Sequence, residues 1–276
     1  MRRRLLINLA VVALAGLLAA VAWLDLERGD QSPRLTGLSP DEVRVVRIQD
    51  ADGETLRMER SGEGWLITEP VEAPASQFHV EQLLELGRAP SERRYPLDDV
   101  DARELGLIPP QIKVAFNGTG IGLGDTEPMD GLRYAVVDDR VHLIPDGLMP
   151  LLDGPWWNFL DRHLLPRGAT VTALETPALA GRTGDDDWQV DRGDLDADEL
   201  AELAAAWSEA EALVARPLDD PPDVDTPDVR LCLDEGRERR FVATEESGEI
   251  RLVDMDSRVA YVLPEHVRGY LLDGRE

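Results

Sequence analysis

The feature that most restricts how this chain can fold is a repeat of its own pattern, which calls for one small unit built twice in tandem. A strand-like stretch, Val43 to Ile48, passes a turn at Asp52-Gly53 and continues as Thr55 to Met58 and then Trp65-Leu66-Ile67. Its counterpart starts at Thr170-Val171-Thr172-Ala173-Leu174 and reaches Trp188-Gln189-Val190 after an acidic turn, so Trp65 and Trp188 are equivalent structural positions. Apolar residues at helical spacing follow in each half: Val80, Leu83 and Leu84 before a stop at Gly87, and Leu200, Leu203, Ala204 and Trp207. Asp196 with Glu199 three residues on reads as a capping box for the second helix. Proline then marks entry into an alternating strand, Pro110 before Ile112, Val114 and Phe116, and Pro227 before Val229, Leu231 and Leu233. Period-two alternation means one buried face. Each half closes on a matching block, Val141 to Pro145 or Val259 to Pro264, and on a short apolar helix ending in Leu151-Leu152 or Leu271-Leu272.

Equivalent positions lie 117 to 123 residues apart, from the Val114–Leu231 pair to the Trp65–Trp188 pair, a drift that a few loop deletions produce. The predicted fold class is α+β: an N-terminal transmembrane helix followed by two tandem repeats of an antiparallel sheet with a packed helix. The divisions are a cytoplasmic tail 1–4, the membrane helix 5–24, a juxtamembrane linker 25–40, a first unit 41–152, a connector 153–168 and a second unit 169–276. Residues Asp99 to Leu105, stopped by Gly106, are expected to add a short helix that the second unit lacks.

From Leu5 to Leu24 run 20 residues whose one strongly polar member is Asn8. A helix of that length covers roughly 30 Å, the thickness of a bilayer's hydrocarbon core. Arg2, Arg3 and Arg4 precede the run and Asp25 and Glu27 follow it, which keeps the N-terminus in the cytoplasm and sends the rest across the inner membrane. Trp23 suits the far interface. Ala20-Val21-Ala22 offers the competing reading of a cleaved signal peptide, although such apolar regions usually run about 7–15 residues. No cysteine follows the run, which excludes a lipid-modified cysteine.

With 55 Asp and Glu against 29 Lys and Arg, the chain carries a formal charge of −26, which repels nucleic acid and anionic lipid headgroups. Lys113 is the one lysine. Cys232 is the one cysteine, so no intramolecular disulfide forms, and its place in the Val229–Leu233 alternation makes it a sheet residue.

Several motifs suggest chemistry and fail on spacing. The glycines from Gly118 to Gly124 lack the Gly-Lys-Ser/Thr of a phosphate loop and the spacing of a dinucleotide fingerprint. Asn117-Gly118 instead predicts a tight hairpin joining Ile112–Phe116 to Ile121–Leu123, with the other glycines allowing close strand contact. Asp194, Asp196 and Asp198 alternate as a calcium loop begins, but Glu199 and Ala205 stand where that loop needs Gly and Glu. His79, His142, His163 and His266 show no paired metal-ligand spacing, and no Gly-x-Ser-x-Gly elbow exists. No catalytic, metal or cofactor site is therefore assigned. Trp156, Trp157 and Phe159 form the densest aromatic cluster, either a buried hinge between the units or an exposed patch for docking a partner.

The order Val43–Ile48, Asp52-Gly53-Glu54, Gly64-Trp65-Leu66-Ile67, Pro70-Val71, the Val80/Leu83/Leu84 helix, Gly106-Leu107, Pro109-Pro110, Gly124, Pro128, Gly131, Tyr134 and Val141–Ile144 resembles the bacterial family known as domain of unknown function 4340. The junction Asp161-Arg162-His163-Leu164-Leu165-Pro166 fits the same pattern, whereas Ile108 and the shortened middle of the second unit depart from it. The resemblance implies a membrane-anchored envelope protein associated with an auxiliary component of a gliding-motility-type ABC transport system. It implies no catalytic residues.

The expected function is a non-enzymatic, membrane-anchored periplasmic accessory or scaffold protein. Its partners would be the membrane, through the N-terminal helix, and an ABC transporter permease or another envelope protein. The alternative is an envelope hydrolase acting on a cell-wall or polysaccharide substrate, which predicts a deep cleft gathering His142 or His266 with carboxylates.

Overall fold

A computed structural model describes residues 16, 33–62, 64–184, 187–218, 226–246 and 249–274. Apart from Gly16, the apolar run Leu5–Leu24 lies outside the described residues. Among those described, no helix is long and apolar enough to cross a membrane.

The molecule is built on two antiparallel sheets. The first contains β1 (Val45–Gln49), β2 (Thr55–Ser61), β3 (Gly64–Glu69), β4 (Ala73–Pro74), β5 (Arg93–Pro96), β6 (Ile112–Phe116), β7 (Thr119–Thr126), β8 (Arg133–Val137) and β9 (Arg140–Ile144). Its strand order is β4-β3-β2-β1-β6-β7-β8-β9-β5. The second contains β10 (Val171–Glu175), β11 (Ala180–Thr183), β12 (Trp188–Arg192), β13 (Val214–Pro217), β14 (Val229–Leu233), β15 (Glu238–Glu246), β16 (Glu249–Asp254) and β17 (Val259–Val262). Its order is β12-β11-β10-β14-β15-β16-β17-β13. With β4 set aside the two orders are the same. In each sheet the chain leaves one edge, forms a helix, and returns at the opposite edge as β5 or β13.

The crossing helices are α1 (Gln77–Gly87) and α3 (Ala197–Glu209); α2 (Met149–Leu152) and α4 (Glu265–Asp273) follow the closing strands. α1 buries Val80, Leu83 and Leu84, and Ser76 caps it by accepting from His79 N. Gly87 ends this helix for a reason its type alone does not show. A Cβ there would lie 3.2 Å from Thr36 Oγ1 and 3.4 Å from the Phe116 ring, so its small size lets two neighbours close over the helix end. α3 starts on the capping box, Asp196 Oδ1 accepting from Glu199 N and Glu199 Oε2 from Asp196 N, both at 2.9 Å. Its Trp207 stacks near Phe241 and donates from Nε1 to Leu271 O at 3.1 Å, which satisfies the buried indole.

Alternation works as elementary packing requires. Ile112, Val114 and Phe116 face the core while Lys113 faces solvent, and Val229, Leu231 and Leu233 repeat the arrangement. The turn between β6 and β7 has φ 50° at Asn117 and 94° at Gly118, the left-handed pair a two-residue hairpin needs. Asn117 also ties the turn to β1: its Oδ1 accepts from Arg44 N at 2.8 Å and Val45 N at 3.1 Å. One continuous core joins both sheets and the connector.

Three expectations change. Residues 33–36 are not free linker: Leu35 N donates to Ala89 O and Thr36 N to Gly87 O, both at 2.9 Å, and Leu35 is buried, so these residues pack as part of the first unit. Asp99–Leu105 forms no α-helix; a 3-10 turn at Leu97–Asp99 leads into successive turns. These press Ala102 and Leu107 onto Val141, covering the outer face of β8 and β9. The glycines of β7 do permit close contact, but with this overlying segment as well as a strand: a Cβ on Gly122 would meet Val136 at 2.8 Å and Pro110 at 3.1 Å. Thirdly, residues 153–168 are not a plain link, because they pair with both units as described next.

Candidate functional site

Among the described residues the connector laces the two sheets together through its backbone. Asp161 N donates to Pro74 O at 2.9 Å and Ser76 N donates to Phe159 O at 2.7 Å on the first unit. Leu164 N donates to Ala210 O at 3.1 Å and Ala212 N to Arg162 O at 2.8 Å on the second. Its apolar members Phe159, Leu160, Leu164 and Leu165 are buried in the common core. Between the two buried apolar pairs the backbone bonds on both sides hold the run Asp161-Arg162-His163 at the surface, Arg162 exposed and its two neighbours partly so.

Above these residues lies a cleft of 580 Å³, bounded by the start of α1, the connector and β13. Half of the large apolar side chains that stand exposed among the described residues meet here: Phe78 (60% exposed), Trp157 (37%), Leu213 (59%) and Val214 (44%). They come from three separate parts of the chain. Burying such groups is favourable by about 1.5–3 kcal/mol each, so a concentration of them in one concavity marks a surface suited to being covered.

The polar lining is largely paired. Asp161 Oδ1 accepts from His163 Nδ1 at 2.8 Å and from His163 N at 3.2 Å. In that bond Nδ1 is the donor, since the carboxylate oxygen can only accept. Arg162 Nη2 sits 2.6 Å from Glu211 Oε1, and Arg167 Nε 4.0 Å from Asp161 Oδ2. Among the described residues no hydroxyl or thiol is hydrogen-bonded to His163, and no group of three His, Cys, Asp or Glu is placed to hold a metal ion. Behind the cleft, buried Asp254 pairs with Arg239 at 2.9 Å, and Arg239 donates to Leu164 O at 3.3 Å. The neighbouring Tyr261 hydroxyl is pushed up to about 12, chiefly by burial, with Asp254 and Asp161 adding to the rise and Arg239 opposing it.

The aromatic cluster divides. Phe159 is 2% exposed and belongs to the core, so it is removed from any docking patch; its backbone anchoring to Ser76 fixes its ring inward. Trp156 is half-buried against that core, edge-on to Trp157 at 6.0 Å. Of the three, Trp157 is the one presented at the cleft. Trp65 is buried on β3 opposite Arg60, under its guanidinium at 5.0 Å, and Trp188 is half-buried on β12 opposite Thr183.

The histidines are distributed differently from the hydrolase expectation. His142 is buried on β9, its Nδ1 2.9 Å from Ser91 Oγ, and burial together with the cations of Arg94 and Arg140 lowers its pKa. His266 is exposed on α4. Neither reaches the cleft, whereas His79 and His163 do. Sequence reasoning missed Phe78, Leu213 and Val214. Phe78 was detectable as the apolar residue out of phase with Val80, Leu83 and Leu84; Leu213-Val214 carries no signal until β13 is known to be an edge.

Comparison with protein-family models, curated proteins and solved structures finds no match for this chain.

Proposed function

We propose that the protein is a non-enzymatic accessory or scaffold subunit of a bacterial envelope, anchored in the inner membrane by Leu5–Leu24, with two diverged copies of one α+β unit outside. The partner would be an ABC-type permease or another envelope protein, as the resemblance to domain of unknown function 4340 implies, and it docks at the connector cleft. The observation that carries the reading is the convergence of Phe78, Trp157, Leu213 and Val214 on that cleft. The apolar run supplies the location, and the paired polar lining supplies a surface rather than a reactive group.

The test is photo-cross-linking in intact cells, with benzoylphenylalanine at position 213 of the full-length protein and, as a control, at position 190 on β12, whose side chain is also exposed. A discrete adduct with one membrane or envelope protein from 213 and none from 190 is expected. Equal labelling from both positions, or none from 213, would end the proposal. One observation favours the hydrolase alternative: the Asp161–His163 pair lies in the same cleft. Release of reducing ends from cell-wall or polysaccharide material, lost in His163→Ala, would move the conclusion there.

A further inference from the structure

The chemistry of the occupant can be narrowed from charge. On a protein of net charge −26, nearly any surface repels an acidic partner. The connector cleft is different in three ways. Both of its carboxylates already have internal partners, Asp161 bonded to His163 and Glu211 paired with Arg162. Arg162 and Arg167 keep 53% and 60% of their side chains exposed, so each has donors left over. The first turn of α1, which opens on the cleft at Ser76, Phe78 and His79, contains no acidic residue. In the second unit the matching helix start is neutralised by Asp196, Asp198 and Glu199. An unneutralised helix start adds partial positive charge to that of the two arginines. Apolar walls alone would suit a neutral segment; apolar walls beside spare guanidinium groups suit one that also carries carboxylates.

Resting on the docking reading above, we infer that the cleft takes an extended segment of a partner protein in which large apolar side chains alternate with Asp or Glu. The apolar side chains cover Phe78, Trp157, Leu213 and Val214, and the carboxylates meet Arg162 and Arg167. Exposed ion pairs are each worth about 0.2–1 kcal/mol, so two of them amount to a preference of about tenfold at low salt.

The measurement is fluorescence anisotropy of the full-length protein in nanodiscs, with fluorescein-labelled peptides Gly-Gly-Leu-Glu-Leu-Glu-Leu and Gly-Gly-Leu-Gln-Leu-Gln-Leu. The Glu peptide should bind about tenfold tighter, with the advantage shrinking in high salt as exposed charges are screened. Arg162→Gln with Arg167→Gln should bring the two peptides to equal affinity, and Leu213→Ser should weaken both. All three side chains are exposed, and unchanged thermal unfolding of each variant confirms that the fold is kept. Equal binding of the two peptides, still weakened by Leu213→Ser, overturns the acidic preference and leaves the docking site standing. Binding indifferent to Leu213→Ser overturns the docking site itself. Binding of neither peptide overturns the inference, and the cross-link from position 213 then decides the docking reading separately. Attachment of the protein to added phosphatidylglycerol vesicles through the same arginines, in preference to the peptides, would replace the partner segment with a lipid surface.

Discussion

Two glycines on one face of β7, four residues apart, are predicted to respond to the same substitution with opposite signs. At Gly124 a Cβ would fall well inside 3.0 Å of Leu105 O and 2.9 Å from Leu107 Cδ2, and the first of these is backbone that cannot swing aside. At Gly120 nothing lies within 4 Å. Gly124→Ala leaves the protein two responses. It can strain β7 against the 102–107 segment, an overpacking cost of about 1–3 kcal/mol. Or it can lift the segment, losing about 1.5–3 kcal/mol of Leu107 burial and roughly 1 kcal/mol for the hydrogen bond from Asp125 N to Leu105 O. The cheaper response sets the loss, at about 2–3 kcal/mol where the two ranges of about 1–3 and about 2.5–4 kcal/mol meet. At about 2–4 °C per kcal/mol for a protein of this size, that lowers the melting temperature by about 4–12 °C. Gly120→Ala restricts the unfolded chain with no contact penalty and should raise it by about 1–2 °C. Circular dichroism melts of the two full-length variants beside the parent decide the matter. A Gly124→Ala melt within 1 °C of the parent, or equal shifts for both, would refute the account of this glycine run as packing against an overlying segment.

Asp196→Ala removes the Oδ1 half of the capping box, leaving the backbone N–H of residue 196 to donate to Glu199, and should cost about 1 kcal/mol in urea unfolding, whereas Asp196→Asn should restore most of it. His142 has a folded pKa below its ordinary 6.5, so its contribution to stability is complete above that value and is lost as pH falls from it through the folded pKa. The stability lost between pH 7.5 and 5.5 should therefore be larger in the parent than in His142→Gln, and a parallel pair of curves would contradict this. Asp161→Ala strips His163 of its acceptor and Arg167 of its nearby carboxylate, and should cost about 1–3 kcal/mol with new proteolytic cleavage in 153–168; cleavage elsewhere first would count against the connector's lacing role.

The parts of the fold legible in the sequence are those where one residue pattern has one physical solution. Alternation at Ile112–Phe116 and Val229–Leu233, the Asn117-Gly118 turn and the Asp196–Glu199 box each encode their geometry within a few residues. The edge strands β5 and β13 were not legible, because Arg93-Arg94-Tyr95-Pro96 and Val214-Ala215-Arg216-Pro217 are short, polar on one side and ended by proline, as edge strands tend to be. The 97–107 segment was misjudged for a related reason. Its acidic, helix-like spacing is local, whereas its turns are dictated by contact with Val141 some forty residues away. The cleft is still less visible from sequence, since Phe78, Trp157 and Leu213 become neighbours through the lacing of the connector alone.

The return of the chain to the far edge carries a consequence for how the protein is made. β5 pairs with β9 and β13 with β17, Arg93 facing Leu143 and Val214 facing Val262, so each outer strand is synthesised about fifty residues before its partner. Neither sheet can be completed progressively as the chain emerges; the last hairpin of each unit must arrive before the earlier strand has anything to hold. Such late, long-range closure slows folding. Were the chain exported as proposed, that delay would keep each unit extended until nearly all of it had crossed.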